Sequence, residues 1–161
     1  RTNVASGRWP MSGLRVLHVG KYYPPVRGGI ETVVETLCLG ERESIDSQAL
    51  VINRGRTTRR DVVDGVPVLR VARMATIGAV SIAPTLPLWL ARARADVMVL
   101  HEPNPMALLA YWIARPSIPL VLWFHSEIIR PQCRYRLFYR PFLEFALGRA
   151  VRIVVGAGGR P

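Results

Sequence analysis

Three short stretches carry residues that could do chemistry. KYYPPVRGGIE, residues 21–31, follows the apolar run LRVLHV and holds two prolines, two adjacent glycines and a carboxylate. His101-Glu102 closes the run DVMVLHE, and His125-Ser126-Glu127 closes LVLWFHSE. Gly28 and Gly29 lack side chains, so an anion can reach the main chain there. A helix beginning at that point would turn free N–H groups and the positive end of its dipole toward it. The alternative is a bend that merely needs positive φ. The pattern is neither GxGxxG nor a Walker loop, so the nicotinamide and ATPase fingerprints are absent. Glu31 suits the start of a helix but would repel a phosphate. It is expected to point sideways, toward backbone amides or a substrate hydroxyl.

A histidine at the C-terminal end of a strand faces the crevice and can bind a hydroxyl or move a proton. For either His101 or His125 alone, a satisfied structural histidine is the competing reading. His101, Glu102, His125 and Glu127 show no HExxH pattern, and no cysteine pair has metal-site spacing. No metal is expected. Ser126 is not in a GxSxG elbow. The stretch Arg130–Arg140 interleaves Tyr135, Phe138 and Tyr139. Arginines for phosphates and aromatics for stacking would suit RNA. Phe138, Phe142, Phe145 and Ala146 have helical spacing, however, so a buried face with solvated arginines opposite is preferred. Contact with anionic lipid comes second. Nucleic acid comes last and is not expected as a partner.

The elements that must position these residues follow from periodicity. Val16, Leu17 and Val19 form a short strand bounded by Gly20. Ile30, Val33, Val34, Leu37 and Cys38 recur at helical spacing. QALVIN (48–53) reads as a second strand, and Arg54–Asp61 as a charged loop. Asp64-Gly65 between apolar runs signals a hairpin or bend. A helix is expected over Leu86–Ala95, a strand in DVMVLHEP, a helix over Met106–Ala114 and a strand in LVLWF. A helix over Tyr135–Leu147 and a last strand over Val151–Val155 follow. Apolar runs alternating with helices predict an α/β fold, a Rossmann-like parallel sheet with helices on both faces. Ligands of such sheets sit outside the carboxyl ends of the strands, where all three stretches lie.

The 161 residues fit one domain, and with half of them apolar the chain can bury a sizeable core. Net charge is +11 and the basic residues are almost all arginine, Lys21 being the one lysine. Such a surface attracts phosphates or anionic headgroups without choosing between them. Two distant cysteines, Cys38 and Cys133, read as free thiols in a reducing compartment. No secretory signal and no clean membrane span are seen. Residues 1–12 read as a flexible tail and 13–161 as the domain. A cytoplasmic location is expected, with peripheral contact to the inner face of the cell membrane.

LRVLHVGKYYPPVRGGIETVVETL resembles the opening of the family 4 (group 1) glycosyltransferases, and the likeness continues through VMVLHEPNPMALLA, VLWFHSEIIRP and YRPFLEFALGRAVRIVV. It covers Leu14 to Val155. The resemblance implies the N-terminal, acceptor-side half of a glycosyltransferase B fold. The reaction it implies is a retaining, metal-free transfer from a nucleotide sugar, itself a substrate, to a glycan, lipid-linked or small-molecule acceptor. No other cofactor is expected. His125 would be the catalytic residue beside the transferred sugar. Gly28 and Gly29 would approach the donor diphosphate, and the substrate-binding set would be Lys21, Gly28, Gly29, Glu31, His101, Ser126, Glu127 and Arg130. The family's C-terminal donor-binding domain is absent from this sequence, so the chain alone is expected to be inactive or to need a partner subunit. A non-catalytic docking module is the alternative. GRAVRIVVGAGGRP also departs from the family pattern, which has an acidic residue before the strand and a small polar motif after it.

Overall fold

The computed structural model describes residues 13–41, 44–125 and 139–156. The chain runs β1 (Leu14–Val19), α1 (Gly29–Glu41), β2 (Ile45–Ile52), β3 (Arg59–Val63), β4 (Val66–Val71), β5 (Ala75–Ile77) and β6 (Val80–Ile82). It continues through α2 (Leu86–Ala91), β7 (Val97–Glu102), α3 (Pro105–Ala114), β8 (Leu120–Phe124), α4 (Arg140–Leu147) and β9 (Ala150–Val155). Seven strands form one sheet in the order β3-β4-β2-β1-β7-β8-β9, and β5-β6 is a separate hairpin. All neighbours in the large sheet are parallel except β3 and β4. The order reverses at β1: the chain winds outward through β2 on one side and β7 on the other. A crevice at the carboxyl ends of β1 and β7 follows from that reversal.

The central strands β2, β1 and β7 read as near-continuous apolar runs because both faces of the sheet are covered there. Along β2, Leu50 and Ile52 join a core with α2, α3 and α4, while Ala49 and Val51 pack with Val34 and Cys38 of α1. Burial drives the Cys38 thiol up to about 12, which keeps it a protonated, unreactive apolar filler.

Two expectations need correction. The segment read as the charged loop Arg54–Asp61 enters β3 at Arg59, because β3 pairs antiparallel with β4 through the two-residue turn Asp64-Gly65. Both turn residues have positive φ, 49° and 83°, the conformation that closes tight hairpins. As an edge strand, β3 leaves Arg59 and Arg60 in water, so its charges cost little. The helix expected to reach Ala95 ends at Ala91. Beyond it, Asp96 accepts from the Arg15 backbone N–H at 2.9 Å and from the Arg15 guanidinium at 2.9 Å and 3.3 Å. That tertiary contact leads the chain into β7 against the helix propensity of ARARA. Of the helix expected over Tyr135–Leu147, residues 135–138 lie outside the described residues.

Candidate functional site

Gly28 and Gly29 are exposed at the mouth of the crevice, between β1 and α1. Neither has positive φ, which among the described glycines occurs at Gly65 and Gly78. The bend that would have required a glycine backbone is therefore not what these residues supply. A Cβ added at Gly29 meets nothing within 4 Å. A Cβ at Gly28 would strike Oε2 of Glu31, whose carboxylate lies over the Gly28 backbone. The Thr32 N–H donates to the Gly28 carbonyl at 3.0 Å and opens the 13-residue helix α1. Free amides, a dipole and an open glycine surface thus coincide, with one flexible carboxylate in front of them.

The loop before these glycines is clamped from beneath. Arg70 of β4, 4% exposed, donates to the Tyr23 carbonyl at 3.1 Å and to the Pro24 carbonyl. Its Nε donates to Asp61 at 2.5 Å. Lys21, expected among the substrate contacts, donates its ammonium to the Ala79 carbonyl at 2.7 Å. The Tyr22 hydroxyl lies 2.6 Å from that of Ser81. These two contacts lash the β5-β6 hairpin to the loop and make it a wall of the crevice.

The histidines form the second part of the site. The chain has three, His18, His101 and His125, and all of them lie in one row. The cause is sheet register. Ser47 of β2 aligns with Val16, two residues before His18. His18 of β1 aligns with Val99, two before His101, and His101 of β7 aligns with Trp123, two before His125. A step of two keeps the side chain on the same face, and diagonal neighbours on adjacent strands touch. His18 Nδ1 lies 3.0 Å from His101 Nε2, and His101 Nδ1 lies 2.7 Å from His125 Nε2. At the inner end, His18 Nε2 lies 3.0 Å from Oε2 of Glu41, the last residue of α1, which also accepts from Ser47 Oγ at 2.5 Å.

His101 was expected to face the crevice. It is fully buried, with both ring nitrogens engaged, because the row continues past it to His125. Burial, with His18 and His125 beside it, pushes its pKa down to about 2, so its ring is neutral. His125 is half-buried at the outer end, and burial lowers its pKa too. Its backbone N–H donates to the Glu102 carbonyl at 3.1 Å, and its ring stacks on Trp123 at 5.8 Å. Burial tends to raise the pKa of Glu41, but hydrogen bonds from His18 and Ser47 hold it below the ordinary value. Gly156 lies against His125: an added Cβ there would sit 4.0 Å from the His125 Cα. Ser126, Glu127, Arg130 and Cys133 lie outside the described residues.

Glu102, weighed in the sequence only as a metal ligand, is fully buried at the end of β7. Its Oε2 accepts from the Tyr139 hydroxyl at 2.5 Å and the Asn104 N–H at 2.6 Å. Burial outweighs those bonds and raises its pKa from 4.5 to about 7. In the fold the carboxyl therefore holds its proton over a pH range where the unfolded chain has lost it. Stability from this group is full below pH 4.5 and is lost as pH rises toward 7. The loss is on the order of 3 kcal/mol, taking about 1.4 kcal/mol per unit. Urea unfolding of Glu102→Gln against the parent should show the difference opening between those limits. A flat difference would contradict this account of Glu102.

His18 and Glu41 are residues of the site that sequence reading does not single out. A histidine inside the apolar strand run LRVLHV is the one signal in the sequence that points to His18.

The family model described as a glycosyl transferase 4-like domain matches residues 28–157. The GDP-mannose:cellobiosyl-diphosphopolyprenol alpha-mannosyltransferase of Komagataeibacter xylinus is 36% identical over 66 aligned residues. That alignment covers 37% of this chain and 17% of the relative.

Proposed function

The chain belongs to the glycosyl transferase 4-like family, and from that premise we propose that it forms the acceptor-side half of a retaining, hexosyl-type glycosyltransferase. A second, donor-binding domain faces the crevice, in the same polypeptide or from a partner subunit, and this half alone is inactive. The donor is a nucleotide sugar. The mannosyltransferase relative is named for a GDP-mannose donor and a diphosphopolyprenol-linked acceptor. A lipid-linked or polysaccharide acceptor of the cell envelope, met at the anionic inner membrane face, fits the net charge of +11. Among the described residues no helix is long and apolar enough to cross a membrane.

The observation that carries this reading is the open surface of Gly29 at the start of α1. A donor diphosphate brought there meets free N–H groups and the positive helix end, which stabilise the charge gathered on the leaving group. The bond between the sugar C1 and the diphosphate oxygen breaks, and C1 bonds to the acceptor oxygen. The acceptor's proton leaves with the nucleoside diphosphate or to solvent. Ser126, Glu127 and Arg130 follow His125 in sequence and belong to the same proposed sugar site.

Gly29→Ala separates this role from folding. The added methyl meets no protein atom within 4 Å, and φ is not positive. The variant should therefore be more stable by about 0.4–1 kcal/mol. In the native gene product it should lose about tenfold in donor kcat/KM, as one contact of ~1.5 kcal/mol to a charged oxygen is broken. Unchanged kinetics would remove the diphosphate from this surface. A second reading, a non-catalytic docking module, is favoured by the exposed Val151, Ile153 and Val155 on edge strand β9. Absence of turnover with every sugar nucleotide in the native gene product, assembled with any partner subunit it has, would select it.

A further inference from the structure

We propose that Glu41, His18 and His101 are positioning residues that hold the ring proton of His125 on Nε2 and leave its Nδ1 as a hydrogen-bond acceptor for the sugar site. The catalytic consequence rests on the reading of His125 given above; the proton arrangement does not.

The polarity of the row follows from its inner end. Glu41 accepts from the Ser47 hydroxyl at 2.5 Å, a bond that favours the ionised, acceptor-only carboxylate. His18 Nε2, 3.0 Å from the same oxygen, must therefore carry a hydrogen, since a bare nitrogen would set two lone pairs against each other. In neutral His18 the other nitrogen, Nδ1, is then an acceptor. His101 must supply the hydrogen across 3.0 Å from its Nε2, which makes its own Nδ1 an acceptor. His125 must in turn donate from Nε2 across 2.7 Å. Each ring has one donor and one acceptor, so fixing the first fixes the third. His101 is fully buried away from bulk solvent, so a mismatched nitrogen there would be costly, which disfavours a break in the middle.

The placement of Glu41 points the same way. A carboxylate in the last turn of a helix opposes the helix dipole. No basic residue offsets it in the last turn of α1. It is held there by His18 and Ser47 instead. The row thus carries a local penalty at one end and delivers a single tautomer at the other, along a path that spans β2, β1, β7 and β8.

Nitrogen NMR of the 161-residue chain labelled only in its histidine rings tests this directly, because three rings give three resolvable pairs of signals. At pH 8, without substrate, each ring should carry its hydrogen on Nε2 and leave Nδ1 bare. In Glu41→Gln, whose amide can accept or donate, each ring should change from one tautomer to a mixture. His125 carrying its hydrogen on Nδ1 in the parent chain would overturn the proposal. So would unchanged tautomers in folded Glu41→Gln. If that variant does not fold, the parent spectrum alone decides. A correct spectrum combined with an inactive role for His125 would separate failure of the glycosyl-transfer reading from failure of this one.

Discussion

His125→Ala in the native gene product should lower kcat by about 10²–10³-fold, the range for losing one hydrogen-bonding group positioned at the reacting centre. The half-buried ring ends the row at the crevice, and little else in the described chain presents an imidazole there: His18 and His101 are both fully buried. The folding cost should be much smaller. Removing the ring leaves Nδ1 of His101 without its 2.7 Å partner, a loss of about 1–3 kcal/mol for one buried polar atom. Rate measurements paired with a thermal melt separate the two effects. A folded variant that keeps the parental kcat would show that His125 does not act on the substrate.

Arg70→Met should be the most damaging single change to the fold. It leaves the Tyr23 and Pro24 carbonyls without their donor and strips Asp61 of its closer cation, Arg59 remaining at 3.3 Å. Breaking a buried pair costs about 3–5 kcal/mol. Asp61 keeps roughly a quarter of its surface in water, 27%, so the lower end of that range is expected here. Urea denaturation gives the number. Arg70→Lys should recover little of it, because an ammonium is a point charge and cannot fork to three acceptors. A loss below about 1 kcal/mol for Arg70→Met, within the usual range for surface changes and weak pairs, would mean that the loop before Gly28 is held by its prolines and packing instead.

Much of the scaffold could be read from local patterning because local rules decide it. Ile30, Val34 and Cys38 mark one side of α1, and Asp64-Gly65 closes a hairpin through its own φ preferences. Where a distant partner decides, the pattern misleads. ARARA is a good helix sequence that Asp96 and Arg15 overrule, and Arg59–Asp61 looks like loop until β4 pairs with it. The site divides in the same way. The glycine surface follows from residue type and from its place after a strand. The histidine row does not, since the step of two residues between neighbouring strands is a property of register and is visible only once β2, β1, β7 and β8 lie side by side. From local pattern alone His101 is therefore expected to face outward, and nothing in the sequence marks Glu41, at the far end of a helix that looks complete without it.

The central place of β1 also sets a timetable. One edge of β1 pairs with β2, close behind it in the chain, but the other waits for β7, where Val16 meets Val97. During synthesis at about 5–20 residues per second, some 80 residues separate the two strands, so this edge stays open for roughly 4–16 s. Until it closes, His18 has no His101 to meet, and neither the crevice nor the row exists. A nascent chain in that interval exposes an unpaired apolar strand in the middle of its future sheet, which makes this the stage at which a ribosome-bound chaperone has most to protect.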